Sequence, residues 1–366
     1  MSVRRLRPSS TKGYKSNDTK TCPIVGIGAS AGGLEALTLL LNHLPIDTGF
    51  GFVLVQHLDP EHESALTQLL ARATMLPVTE ITHNLPVEPN HVYVIPPNSS
   101  LRIHQGVLTL QPRPSTRVPH HPIDFFLESL AEDCQDRAIA VILSGTATDG
   151  TLGLEAIKGQ GGITFAQDGS ARYDSMPRSA IASGSVDFVL SPEDIAKELG
   201  RIARHPYVAA PALDFPNSQH EELKPRTPSR PSRKGRTAST ATHAPSDEAV
   251  EDKPGEDGFR SILVLLRSHS GVDFSLYKST TIRRRITRRM VVNKMDTPED
   301  YAAFLRSDAR ELEALYSDML ISVTGFFRNP EAFDVLKRKV FPRLLQQRGD
   351  DPVRVWVLGC STGQEA

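Results

Sequence analysis

Long hydrophobic runs are missing from this 366-residue chain. Its longest apolar stretches, such as AIAVIL at 138–143, are only as long as a strand. A membrane-crossing helix needs roughly 20 apolar residues, so insertion into a bilayer is excluded. The N-terminus has no apolar centre either: MSVRRLRPSSTKGYKSNDTK is basic and polar, and residues 1–21 read as a disordered arm, not a secretion leader. Cysteine is scarce. Cys22, Cys134 and Cys360 are odd in number and far apart, which fits a reducing cytoplasm and speaks against a disulfide or zinc framework. Charge of one sign is also lacking: 42 Lys and Arg stand against 43 Asp and Glu, a net charge of −1. The whole molecule is therefore no polyanion binder, and no nucleic-acid partner is expected.

What is present is alternation. Over residues 22–207 the runs PIVGIG, FGFVLVQH, HVYVIP, AIAVILSG, GITFAQ and VDFVL read as strands, several too continuously apolar for a one-sided sheet. Helical patterns near 33–44, 61–73, 122–134, 151–158, 177–183 and 192–203 separate them. The order predicts an α/β domain, a doubly wound and mostly parallel sheet with helices on both faces. LRIHQGVLTLQP interrupts it and reads as an antiparallel hairpin turning on Gln105-Gly106. Residues 208–257 are rich in Pro, Ser, Thr, Ala and charge and read as a disordered linker. Residues 258–349 carry only helical patterns, which predicts a small all-α domain. At 350–366 a new strand-and-turn pattern begins.

The stretch CPIVGIGASAGG, 22–33, admits two readings. Gly26, Gly28 and Ala31 satisfy the dinucleotide fingerprint between a strand and a helix. Alternatively, the turn lifts Ser30 to a position a nucleophile could occupy. A dinucleotide unit needs an acid roughly 20 residues on, ending its second strand. Here that strand ends in Gln56-His57, which weakens the cofactor reading. A later strand ends in a turn carrying Asp149. In a doubly wound sheet the strand C-termini share one edge, so Ser30, His57 and Asp149 are brought within reach. A histidine base makes a serine hydroxyl nucleophilic, and an aspartate fixes the imidazole tautomer. Gly28, Gly32 and Gly33 are then expected to expose Ser30 and admit an oxyanion beside a helix start. Singly, each residue has a plainer reading as a turn, packing or capping residue. At one sheet edge the three favour catalysis. His57, His62 and His120-His121 lack a zinc spacing, and no metal is expected.

Several segments resemble the catalytic domain of the chemotaxis receptor protein-glutamate methylesterases, the CheB family. They are GIGASAGG, VLVQHLDP, HVYVIPPN, VILSGTATDGTLGLEAIKGQGG and TFAQDGSARYDSMPRSAI, in the family's order. The resemblance implies Ser30 as nucleophile, His57 as general base and Asp149 as orienting acid, without a cofactor. It implies hydrolysis of γ-glutamyl methyl esters on receptor helices through an acyl-enzyme, with receptor glutamine deamidation as a related activity. Ala31 stands where the family often has Thr, and Thr146-Ala147-Thr148 where it has Met-Gly-Asn. Only 21 residues precede Cys22, so control by a phosphorylated receiver domain within this chain is not expected. A catalytically inactive sensory or regulatory module of a larger fused signalling protein is the alternative.

The second half resembles the opposing enzymes, the CheR receptor glutamate methyltransferases, through TTIRRRITRRM, SVTGFFRNPEAF and VWVLGCSTGQEA. The resemblance makes 258–349 their helical N-terminal domain and 350–366 the start of an S-adenosylmethionine domain, with the cofactor site incomplete in this chain. Ser322, Thr324 and Arg328 then match contacts to the methyl donor, and Glu365 an acidic contact, while Gln364 replaces the usual glutamate. Asn329-Pro330 reads as a cap and first helical residue. Ile282, Ile286 and Met290 fall on one helix face, beside a basic stripe of Arg284 with Arg288 and Arg285 with Arg289. The stripe reads as a solvated face or, by resemblance, as a dock for methyl-accepting receptor helices. The fusion leaves room for downstream sensory or kinase domains, and a cytoplasmic location is expected.

Overall fold

A computed structural model describes residues 22–57, 65–112, 121–209, 256–320 and 330–347, with Arg354 and Trp356. These residues divide into an α/β unit and a helical unit. Among the described residues no helix is long and apolar enough to cross a membrane.

The α/β unit is built on ten strands: β1 (Ile24–Ala29), β2 (Gly51–Gln56), β3 (Val78–Glu80), β4 (Leu85–Pro86), β5 (His91–Val94), β6 (Ser99–His104), β7 (Val107–Pro112), β8 (Ala138–Ile142), β9 (Ile163–Gln167) and β10 (Phe188–Leu190). Seven form one sheet in the order β10-β9-β8-β1-β2-β5-β3, every pair parallel. The chain leaves β1 toward β2 on one side and returns to β8 on the other. The crevice at the strand C-termini beside β1 is therefore the topological switch point, where doubly wound sheets bind ligands. Helices α1 (Gly33–His43), α2 (Leu66–Leu70), α3 (Pro122–Cys134), α4 (Thr151–Gly159), α5 (Ser175–Ala182) and α6 (Pro192–Ala203) complete the unit.

Strands β1 and β8 are buried at every residue, which accounts for their uninterrupted apolar sequence. Ile24, Val53, Val55, Ala138, Ala140 and Ile142 join Ile123, Phe126, Leu127 and Leu130 of α3 in one core. The alternate residues Val25, Ile27, Phe52, Leu54, Ile139 and Val141 are equally buried, so the other face is covered too.

The expected hairpin is β6–β7, in register from Ser99↔Pro112 to His104↔Val107. Gln105 and Gly106 both have positive φ, 51° and 73°, as a two-residue type I′ turn requires. The structure adds β4 to this hairpin and β3 to the edge of the large sheet, two short strands with no period to read. Of the helix expected at 61–73, Leu66–Leu70 is observed, and 58–64 lie outside the described residues.

In the helical unit α7 (Pro206–Ala209) is a single turn, followed by α8 (Glu256–Ser270), α9 (Ser279–Val292), α10 (Pro298–Ser307) and α11 (Ala309–Leu320). Ile282, Ile286 and Met290 of α9 are buried against Phe259, Ile262, Leu266, Tyr301 and Leu315. Thr297 caps α10 by accepting the Asp300 N–H at 3.1 Å, ahead of Pro298. The basic stripe on α9 is not a solvated face. Arg288 is buried in an ion pair with Asp318, and Arg289 forms a two-pronged pair with Glu311, Nε to Oε1 at 2.8 Å. Tyr301 donates its hydroxyl to the same Glu311 oxygen at 2.6 Å. Arg283 lies over the Phe259 ring, 4.6 Å from its centroid. Arg288 and Arg289 are thus committed to α11 and are not an open dock for an acidic partner. Beyond the unit, Pro330 opens α12 (Pro330–Val335) as its sequence predicts, and α13 spans Phe341–Gln347.

Candidate active site

Strand register assembles the site. Ala29 pairs with Gln56 and Gly28 with Ile142, so the next residues along, Ser30, His57 and Leu143-Ser144, emerge side by side at the switch point. The Ser30 hydroxyl donates to His57 Nδ1 at 3.0 Å, and His57 Nε2 donates to Asp149 Oδ2 at 2.8 Å. The three side chains named from sequence form one hydrogen-bonded chain. Its polarity is fixed by the ring: Asp149 takes the Nε2 proton, which leaves the Nδ1 lone pair for the serine. Asp149 is 1% exposed, whereas the His57 side chain keeps 32% of its surface, so the ring is reachable from solvent.

Asp149 is held at the N-terminus of α3. Its Oδ2 also accepts the Ile123 N–H at 3.1 Å, and its Oδ1 accepts the Asp124 N–H at 2.9 Å. Burial alone would favour the neutral acid. The bonds from His57 and from the Asp124 and Ile123 N–H groups outweigh it and hold the carboxyl below the usual aspartate value. Charge-assisted bonds to a helix N-terminus thus keep a buried carboxylate ionised.

The glycines of GIGASAGG play parts that differ from expectation. A Cβ on Gly28 would sit 2.5 Å from Ile123 Cγ2, and one on Gly26 would sit 2.7 Å from Leu127 Cδ2. Both positions are filled by α3. They let the helix that carries Asp149 on its N-terminus lie close to β1, and they are neither a phosphate cradle nor a means of exposing the serine. Gly32 is different: it caps α1 with φ 71°, a left-handed conformation that L side chains seldom adopt. The Ser30 N–H is spent on the Ser144 carbonyl at 3.0 Å, so it is no oxyanion donor. Among the described residues, the N–H groups of Ala31 and Gly32 have no acceptor and stand at the start of α1.

Ser144 was not legible as a site residue, yet it ties the Ser30 loop to the segments at Gln167 and Tyr173. Its carbonyl holds Ser30, its hydroxyl donates to the Ala31 carbonyl at 2.9 Å and accepts the Tyr173 N–H at 3.0 Å, and its N–H donates to Gln167 Oε1 at 2.8 Å. In the 146–148 turn Ala147 takes φ 69°, in the left-handed region. That conformation explains why glycine suits the position. His121, Asp124 and Asp149 have ligand atoms within 4.8 Å of one another. Both Asp149 oxygens and Asp124 Oδ1 already accept from backbone N–H groups, however, a setting that suits carboxylates. Ser322, Thr324, Arg328 and Glu365 lie outside the described residues.

Residues 25–199 match the CheB methylesterase family, residues 257–320 the all-alpha domain of the CheR methyltransferase, and residues 322–366 its SAM-binding domain. An uncharacterised 104.1 kDa protein of Rhodobacter capsulatus is 36% identical over 307 residues, 82% of this chain and 30% of that protein. A Leptospira interrogans protein, provisionally named protein-glutamate methylesterase/protein-glutamine glutaminase, is 35% identical over 173 residues, 47% of this chain and 90% of its own length. The crystal structure of the Thermotoga maritima CheB methylesterase catalytic domain aligns at 31% identity with a TM-score of 0.46, over 50% of this chain and 98% of that one. The chain spans 54% of a Burkholderia lata protein-glutamate methylesterase/protein-glutamine glutaminase, to which it is 39% identical over 186 residues, 50% of this chain.

Proposed function

Because this chain belongs to the CheB methylesterase family, we propose that it hydrolyses γ-glutamyl methyl esters on chemotaxis receptor helices, with Ser30 as nucleophile. The observation that carries the reading is the unbroken chain of hydrogen bonds from Ser30 through His57 to buried Asp149 at the sheet's switch point. Ser30 Oγ attacks the ester carbonyl as its proton passes to His57 Nδ1, and Asp149 stabilises the imidazolium that forms. The oxyanion is taken by the free Ala31 N–H, the residue after the nucleophile, with the α1 N-terminus behind it. His57 returns its proton to the departing methoxide, releasing methanol and leaving an ester between Ser30 and the glutamyl carbonyl. Water, deprotonated by His57, then cleaves that ester and restores the serine. A glutamine presented to the same atoms would form the same Ser30 ester, its amide nitrogen taking the His57 proton and departing as ammonia, the deamidation named for the relatives.

The matches of residues 257–320 and 322–366 support the N-terminal part of a receptor glutamate methyltransferase in the same protein, incomplete in this chain, which is expected to transfer no methyl group by itself. One experiment addresses both halves. Methanol release from a receptor fragment methylated with labelled S-adenosylmethionine should fall by at least about 10³-fold in Ser30→Ala and in His57→Ala. Release at wild-type rate in either variant removes the triad assignment. Label transferred from S-adenosylmethionine to unmethylated receptor by the protein itself reports on the methyltransferase half.

A further inference from the structure

One buried ionisable group at the site takes no part in that sequence of steps. Asp124 lies in the first turn of α3 and is 7% exposed. Its backbone N–H donates to Asp149, while its own Oδ1 accepts the Gly153 N–H at 2.8 Å, in the first turn of α4. Asp149 stands two residues before α4 begins. The two helices therefore exchange caps: Asp149 closes the N-terminus of α3, and Asp124, carried by α3, closes the N-terminus of α4. Removing either carboxyl would leave N–H groups at the start of one helix without their acceptor.

This exchange brings two carboxyls into one buried site. Burial, joined by the charge of Asp149, pushes the Asp124 carboxyl up to about 6, although the Gly153 N–H favours its ionised form. Among the described residues, the ionisable groups facing the pair are His57 at the end of β2 and His121 ahead of α3, whose Nδ1 is 3.8 Å from Asp149 Oδ1. At the N-terminus of α4, Asp124 meets the backbone N–H groups of Gly150 and Gly153, and its side chain also hydrogen-bonds that of Asp149. Resting on the esterase reading above, we propose that Asp124 is a positioning residue of the triad: anchored on the α4 N-terminus, it fixes the Asp149 carboxylate and sets how much negative charge the His57 imidazolium meets. With Asp124 protonated the pair carries one charge, and with it ionised two. The second charge favours the imidazolium, so the two titrations are linked.

Asp124→Asn separates charge from anchoring. Its amide oxygen still accepts from Gly153, but the pair is locked at one charge. The test follows the His57 ring signal by NMR in the full chain with isotope-labelled histidine, from about pH 5 to 8, assigned with His57→Gln. The unmodified protein should titrate in two linked steps. Asp124→Asn should titrate in one, with its midpoint lower by about half a pH unit or more. The acidic limb of kcat/KM for ester hydrolysis should move the same way, with KM changed less than about twofold. An unmoved midpoint in folded Asp124→Asn overturns the proposal, as does single-step titration of His57 in the unmodified protein. The NMR readout needs no turnover, so a protein that titrates as expected but hydrolyses no ester counts against the esterase reading alone.

Discussion

Gly145 measures how little room surrounds Ser30. A Cβ there would lie 2.9 Å from Ser30 Cβ and 2.6 Å from Met176 Cε. Gly145→Ala should therefore cost about 1–3 kcal/mol of stability through overpacking. It should lower kcat at least about tenfold by displacing Ser30, because misplacement of about 1 Å can cost 10²-fold. Thermal unfolding and esterase kinetics on the same sample check both; unchanged kcat would mean that the serine is not so confined. Ser30, His57 and Asp149 could be picked out of the sequence because each follows the end of an apolar run, and a parallel sheet gathers strand ends at one edge. Asp124 could not. Before folding, an acid two residues past Pro122 is an ordinary first-turn acid, and only the aim of α3 at the α4 N-terminus gives it a second role. Ser144 escaped for the same reason, since its hydrogen bonds reach segments remote in sequence.

At the scale of elements, spacing tells which residues share a face but not what covers that face. Ile282, Ile286 and Met290 could be read as the inner side of α9 from their period, and they are buried. Arg288 and Arg289 could be read as a stripe, but their partners Asp318 and Glu311 come from α11, which no pattern within α9 announces. Arg289→Met leaves Glu311 buried without its cation and should destabilise the helical unit by about 3 kcal/mol. Urea unfolding followed by circular dichroism measures that loss, and esterase kcat should be unaffected. A neutral effect on unfolding would return the arginine to a surface role. The strands follow a similar rule. β1, β2, β8 and β9 are largely apolar runs of five or six residues and stand out in the sequence. β3 and β4 have three and two residues, and register with β5 and β7, not composition, makes them strands.

For the molecule as a whole, alternating strands and helices predict the doubly wound sheet, and the order of return past β1 places the site. What the residues alone left open was whether GIGASAGG cradled a phosphate or presented a serine. Gly26 and Gly28 answer it in part, for the space a side chain would take there belongs to α3. The methylesterase match, the helical unit and the SAM-binding match lie in succession on one chain. The central claim is that His57 and Asp149 make Ser30 a nucleophile. Its most direct test is reaction of the full chain with a fluorophosphonate, read by mass spectrometry of the intact protein and its peptides. A single adduct on Ser30, forming at least about 10²-fold more slowly in His57→Ala, is the expected result. An adduct on another residue, or an equal rate in His57→Ala, would contradict it.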